Sequence, residues 1–241
     1  GFDGFGETSV DLEFRVHIYE FLDITCAIVP DRAAMIFGQN QITYSQLIDR
    51  VDKLAWGLRR LGVERGDRVA VIDVNSKEQL ETLFAILKLD AVYVPVNFRG
   101  RVEDVSYAVG VASPRVLLAG ERYVDLVDRS RASGVSPTPA LVSFAKETVD
   151  PWLSYSQLTA SSADLEVMIP QGGGSDVMSL IFTAGTTGLP KAVPLTHNSF
   201  ASFMLANVEP ADPAVNENTL LTLPLYHVAG LQSALASVYG G

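Results

Sequence analysis

The chain has 241 residues, 48% of them hydrophobic and 19% charged, with a formal net charge of −10 at pH 7. That is enough apolar material to fill the core of one large domain or two small ones, and it excludes a disordered chain. The acidic balance excludes nucleic acid and anionic membrane as partners, since both need clustered Lys and Arg, so an anionic small ligand would require a local cationic site. A single cysteine, Cys26, excludes a disulfide framework within the chain and fits a reducing compartment. No run approaches the ~18 uncharged apolar residues of a membrane span. The acidic start (Asp3, Glu7, Asp11, Glu13) has the wrong charge for a targeting peptide, and the expected location is cytoplasmic.

Taken in order, residues 14–28 read as an amphipathic helix, followed by a strand pair, Ala33–Phe37 and Ile42–Tyr44, around Gly38-Gln39-Asn40. Thr43 and Gln46 have the spacing of a capping box. Behind them Leu47, Val51, Leu54, Ala55, Leu58 and Leu61 share one helical face, and Gly62 stops the helix. "DRVAVID" (67–73) reads as a buried strand. Ser76 and Gln79 predict a second capping box, opening a helix with Leu80, Leu83, Phe84 and Leu87 inward. Strands follow at 91–97, 115–120 and 139–144, separated by helices at 101–110 and 121–132. Strands alternating with helices of this length predict an α/β fold with parallel sheets flanked by helices.

The rhythm weakens between 145 and 178, where Ser and Gly accumulate, and a linker is expected at 161–177. It divides a first subdomain (1–160) from the start of a second (178–241), in which the loop 183–191 is expected to link two strands of a second sheet region instead of opening a helix. Beyond it lie a strand at 177–183, a helix at 196–208, a strand at 219–225 and a helix beginning at "GLQSALASVYGG" (230–241). No closing element follows, and the chain reads as cut short.

The stretch "IFTAGTTGLPKAVPLTHNSF" (181–200) gathers two glycines, several hydroxyls and one cation between apolar segments. It fails as a Walker A loop, because Pro190 precedes Lys191 and Ala192 follows it. It fails as a Rossmann fingerprint for want of a third glycine. An anion cradle survives both failures. Gly185 and Gly188 let backbone N–H groups turn inward, Thr183, Thr186 and Thr187 supply hydroxyls, and Lys191 supplies a point charge. The alternative is a glycine-rich hairpin whose threonines merely satisfy the turn.

"FTAGTTGLPKAV" (182–193) closely resembles the phosphate-loop signature of the adenylate-forming superfamily, which holds acyl-CoA and aryl-CoA ligases, luciferases and peptide-synthetase adenylation domains. Four further segments resemble the family in the same order: "ITYSQLIDRVDKLAWGL" (42–58), "GVERGDRVAV" (62–71), "LKLDAVYVPVN" (87–97) and "LPLYHVAGL" (223–231). The resemblance implies the N-terminal part of the large domain of such an enzyme, of the fatty-acid–CoA ligase type. It implies attack of a carboxylate on ATP with magnesium present, then transfer of the acyl group to coenzyme A. Thr183, Ala184, Gly185, Thr186, Thr187, Gly188 and Lys191 would bind the phosphates, Lys191 would screen the leaving pyrophosphate, and His227 would line the acyl pocket. No metal ligand is assigned.

Three departures stand out: Ala184 for the usual serine, Ala192 for the closing glycine, and Asp90 for the glycine of "Lys-x-Gly-Ala". Each keeps the backbone donors, so phosphate binding is expected to weaken by ~1 kcal/mol and persist. The family's adenine, ribose, magnesium and catalytic-lysine segments are expected downstream of Gly241. From this follow an inactive 241-residue piece, partnership with the missing C-terminal part, and self-association through an unfinished sheet. A non-catalytic truncated paralogue and a peptide-synthetase domain are the alternatives. His197 is read as part of a helix N-terminus near the loop, His17 as without signal, and Asp49, Asp52, Glu78 and Glu81 as solvated.

Overall fold

The computed structural model of the chain describes residues 16–132, 139–160, 168–183 and 189–241. Helix α1 (Ile18–Ile28) leads into the antiparallel hairpin β1 (Ala33–Phe37) and β2 (Asn40–Thr43). Helix α2 (Tyr44–Arg60) opens with the expected box: Gln46 N donates to Thr43 Oγ1 (3.3 Å) and Thr43 N to Gln46 Oε1 (3.0 Å). Then come β3 (Arg68–Ile72), α3 (Lys77–Lys88), β4 (Val92–Pro95), α4 (Val102–Ala112), β5 (Val116–Ala119), a 3-10 turn (Glu121–Tyr123) and α5 (Val124–Arg131). After β6 (Ala140–Ser143), the short β7 (Trp152–Ser154) and α6 (Tyr155–Thr159), the chain makes β8 (Val177–Thr183), β9 (Lys191–Thr196), α7 (His197–Asn207) and α8 (Val228–Gly240).

Among the described residues seven strands form one sheet in the order β7-β6-β5-β3-β4-β8-β9, parallel except for the last pair. Strand periodicity divides its side chains between two cores. Val69, Val71, Tyr93, Val116 and Leu118 pack with α1, α2, α3, α7 and α8. Ala70, Ile72, Val94, Leu117 and Ala119 pack with Val105, Ala108 and Val109 of α4 and Val127 of α5. Helices on both faces explain why β3 and β5 read as unbroken apolar runs.

Four expectations need correction. Strands β8 and β9 continue the same sheet beside β4 instead of opening a second one. Residues 219–225 are not a strand, for among the described residues no strand lies alongside to complete a ladder, and Leu220 is 85% exposed. The second capping box is half made. Ser76 Oγ accepts from Gln79 N (3.2 Å), but the buried Gln79 side chain donates instead to the Tyr93 hydroxyl (3.2 Å). Glu81 is fully buried, because α3 lies between the sheet and α2 and has no solvent face for it. Arg50 of α2 holds its carboxylate at 2.6 and 3.2 Å, and the Tyr155 hydroxyl donates to it at 2.5 Å. Asp52 likewise pairs with the buried Lys88, while Asp49 does lie exposed beside Lys53.

Sequence reasoning missed β7 and α6, although their signal repeats an earlier one. "SYSQL" at 154–158 copies "TYSQL" at 43–47, and Ser154 and Gln157 close the same reciprocal cap. Leu158 then sits against Gly57 of α2, where a Cβ would fall 2.5 Å from Leu158 Cγ.

At the amino end of the sheet a polar knot fixes where β8 enters. Asp90 adopts a left-handed backbone (φ 55°), which explains the glycine usual in this family segment. Its carboxylate accepts from Gln171 N (2.7 Å) and Gly172 N (3.0 Å) and lies 3.3 Å from His17 Nε2. Burial alone would raise its pKa, but His17 and the two amides outweigh burial and lower it. Asp176 accepts from Gly173 N (3.1 Å) and Arg65 Nη2 (2.7 Å). His197 opens α7 as expected, yet it is buried, stacks on His17 at 3.8 Å and accepts from Ile18 N (3.1 Å). His17, for which the sequence offered no signal, caps α1 by accepting from Tyr19 N (3.2 Å).

Burial, and next the neighbouring His17, push the pKa of His197 down to about 3 from 6.5, against the pull of Asp90 and Asp176. The unfolded chain therefore takes up a proton there at a pH where the folded chain does not. This contribution to stability is complete above 6.5 and is lost as pH falls toward 3. Between pH 7 and pH 5 the loss should reach about 2 kcal/mol. Urea unfolding midpoints at the two pH values should differ less in His197→Asn, whose amide can still accept from Ile18 N.

Candidate adenylation site

Crossovers leaving adjacent strands toward opposite faces create a crevice at the carboxyl ends of a parallel sheet, the usual ligand position in such folds. Here β3 leads to α3 in one core and β4 leads to α4 in the other. The crevice therefore opens between the residues after Ile72 and those after Pro95. Asp73 directly follows β3 with its carboxylate against the Cα of Gly120, just past β5, where a Cβ would fall 2.1 Å from Oδ1. Burial raises the pKa of Asp73, while the Ser76 hydroxyl (2.7 Å from Oδ2) and Val74 N pull it back.

The hairpin β8–β9 brings the phosphate-loop flanks to the same end. Thr183 and Lys191 are paired in the register, with Thr183 Oγ1 at 3.5 Å from Lys191 O. Both are exposed, and Lys191 makes no ion pair among the described residues. Ala184, Gly185, Thr186, Thr187 and Gly188 lie outside the described residues. The expectation that this loop joins two strands instead of opening a helix is met at both flanks.

Residues 223–227 lie across the crevice without forming a strand. Asn75 Nδ2 donates to Leu223 O (2.9 Å) and Asn75 Oδ1 accepts from Leu225 N (2.9 Å). The Tyr226 ring meets Phe98, just past β4, edge-on at 5.2 Å. Exposed His227 follows as the N-cap of α8, its ring 4.1 Å from that of Tyr226. Gly230 allows α8 to close on this segment, since a Cβ there would fall 2.1 Å from Pro224 O. Asn75, Phe98 and Tyr226 were not singled out in the sequence. The polar pair Asn75-Ser76 after an apolar strand was a signal, but only Ser76 was read, as a helix cap.

A hairpin with a hydroxyl and a cation at its mouth, beside a switch-point crevice, is a place for an anionic ligand. Residues 22–241 match the family model described as AMP-binding enzyme. The chain belongs to this family. It is 31% identical to an indoleacetate–CoA ligase of Aromatoleum aromaticum over 90% of this chain and 42% of that protein. A feruloyl-CoA synthase of Amycolatopsis is 34% identical over 84% of this chain and 38% of its own length. Among solved structures, a Mycobacterium tuberculosis fatty acyl CoA synthetase superposes with TM-score 0.75 at 28% identity, covering 93% of this chain and 43% of that one. The anthranilate CoA ligase AuaEII, solved with anthranoyl-AMP, shares the fold with TM-score 0.86 at 21% identity over 96% of this chain and 45% of its own. The chain thus spans about two fifths of the length of the curated relatives it matches.

Because Lys191 is exposed and unpaired among the described residues, its side chain contributes little to the fold. Lys191→Ala should change the unfolding free energy by no more than about 0.5 kcal/mol in a urea titration.

Proposed function

We propose that the protein activates a carboxylic acid, of the fatty class, with ATP to an acyl-adenylate, and then passes the acyl group to coenzyme A. The observation that carries this is the β8–β9 hairpin. It sets Thr183 opposite Lys191 at the carboxyl end of the sheet, the end where His227 also lies. Nucleotidyl transfer needs alignment and neutralisation of charge developing on the leaving pyrophosphate. Lys191 supplies the positive charge. Thr183, Ala184, Gly185, Thr186, Thr187 and Gly188 supply hydroxyls and backbone amides to the phosphates. His227 borders the acid. Magnesium enters with the nucleotide. Among the described residues no three His, Cys, Asp or Glu side chains converge on a metal position, so no protein ligand is assigned to it.

The relatives support the acid–thiol ligase reading through their names, which span indoleacetate, feruloyl and long-chain fatty acids. We keep the division at 161–177 between a first subdomain and the start of a second as part of this proposal. Since residues 1–241 span about two fifths of those relatives, we also propose that these residues alone bind ATP weakly and do not turn it over. The outer edge of β9 has no strand partner among the described residues, Val193 on that strand is exposed, and so are Phe203 and Leu205 of the following α7. That edge supports self-association, which sedimentation of residues 1–241 would detect.

Acid-dependent exchange of pyrophosphate into ATP tests the reaction. The protein is expressed with any native sequence that follows Gly241 and offered fatty, indoleacetic and ferulic acids. Exchange is expected with at least one acid, fatty acids foremost. Lys191→Ala should lower the rate about 100-fold, the scale of removing one preorganised charge donor. Absence of exchange with every acid would favour a non-catalytic protein.

A further inference from the structure

The segment that carries His227 has few holds on the rest of the molecule. Between α7 and α8 the chain makes no regular element, and Leu220 and Leu223 face solvent. Its first hold is at 211–213, where Ala211 N donates to Tyr239 O (3.1 Å) and Arg32 donates to Asp212 O (2.9 Å) and Pro213 O (3.3 Å). Its second is at 223–226, where Leu225 enters the core, Tyr226 meets Phe98, and the Asn75 amide spans the backbone on both sides of Pro224. Proline has no N–H to offer, and the Pro224 C=O already accepts from His227 N (3.0 Å), so a side chain that both donates and accepts here must use the residues on either side. An Asn side chain, with donor and acceptor side by side, satisfies the C=O of Leu223 and the N–H of Leu225 together.

Asn75 is the third residue after β3, at the rim of the crevice. It is followed by Ser76, the cap of α3, and lies two residues after Asp73, whose carboxylate accepts from the Ser76 hydroxyl. Its backbone is therefore fixed by a buried strand of the sheet and by the helix that follows. A rigid donor–acceptor pair is thus placed against an otherwise irregular segment, two residues ahead of the residue bordering the proposed acid pocket.

We infer that Asn75 is a positioning residue for the carboxylic acid, setting the height of the 223–227 segment over the crevice and with it the placement of His227. This rests on the adenylation reading above. It sets Asn75 apart from the phosphate loop: its loss should disturb the acid and leave the nucleotide alone.

Two measurements test it. Hydrogen exchange on residues 1–241 reads the clamp directly. Asn75→Ala should speed exchange at the Leu225 amide about tenfold, with β3 still protected, and the near-isosteric Asn75→Asp, which keeps an acceptor for Leu225 N, should speed it less. Pyrophosphate exchange, in the protein with any native sequence after Gly241, reads the consequence. Asn75→Ala should raise KM for the acid about tenfold with KM for ATP unchanged, and Asn75→Asp should recover part of the loss. An unaltered Leu225 amide, a fall in kcat alone, or equal rises in both KM values would overturn the inference. If the unsubstituted protein exchanges with no acid, the adenylation reading fails and the role of Asn75 fails with it. If it exchanges and Asn75→Ala behaves identically, only the role of Asn75 fails.

Discussion

The placement of β8 beside β4 is the constraint on which the candidate site depends, and hydrogen bonds to Asp90 and Asp176 enforce it. The parallel register between the two strands rests on the pairing of Tyr93 with Ser179. The two strands lie side by side, but one matched pair leaves the strand's height weakly determined by the ladder alone. The two carboxylates supply what the ladder lacks, by taking the amides of Gln171, Gly172 and Gly173 just upstream of the strand. With the entry of β8 fixed, Thr183 and Lys191 emerge at the carboxyl end together, and α7 returns to seal the knot through His197 N on Asp176 O.

The same knot shows how a departure from a family pattern can be absorbed. A residue at φ 55° is strained for most side chains, and glycine avoids the strain. Aspartate tolerates that region better than most residues and brings two acceptors with it, which the adjoining glycine-rich segment uses. The acid also sits against His17, so the helix at the start of the chain, the turn before β4 and the helix after β9 meet in one buried cluster.

Much of the fold was legible because local and global signals agree there. The Thr43–Gln46 cap, the apolar stripe of α2 and the unbroken apolar runs of β3 and β5 each had a single reading. The segment 183–191 could be singled out because glycine, hydroxyl and cation chemistry is concentrated in a few consecutive residues. What escaped depends on partners distant in sequence. Glu81 looks like one more surface acid until Arg50 and Tyr155 are brought to it from two other helices. "TLLTLPL" looks like a strand because apolar runs of that length do, yet without a neighbouring strand its backbone has no ladder to join. Asn75 reads as the flank of a helix cap, and its partners lie 148 and 150 residues away.

The turn from Asp73 to Ser76 has a consequence for how this protein can vary in length. In four residues it seats a buried carboxylate, caps α3 and grips a remote segment, and all three depend on the same backbone spacing. One inserted residue would break them together. Residues 214–220, between the grip of Arg32 and the point where Leu221 meets the core, carry no such coupling to the sheet. Insertions and deletions among relatives of this chain should therefore collect in that stretch, and the turn after β3 should keep its count.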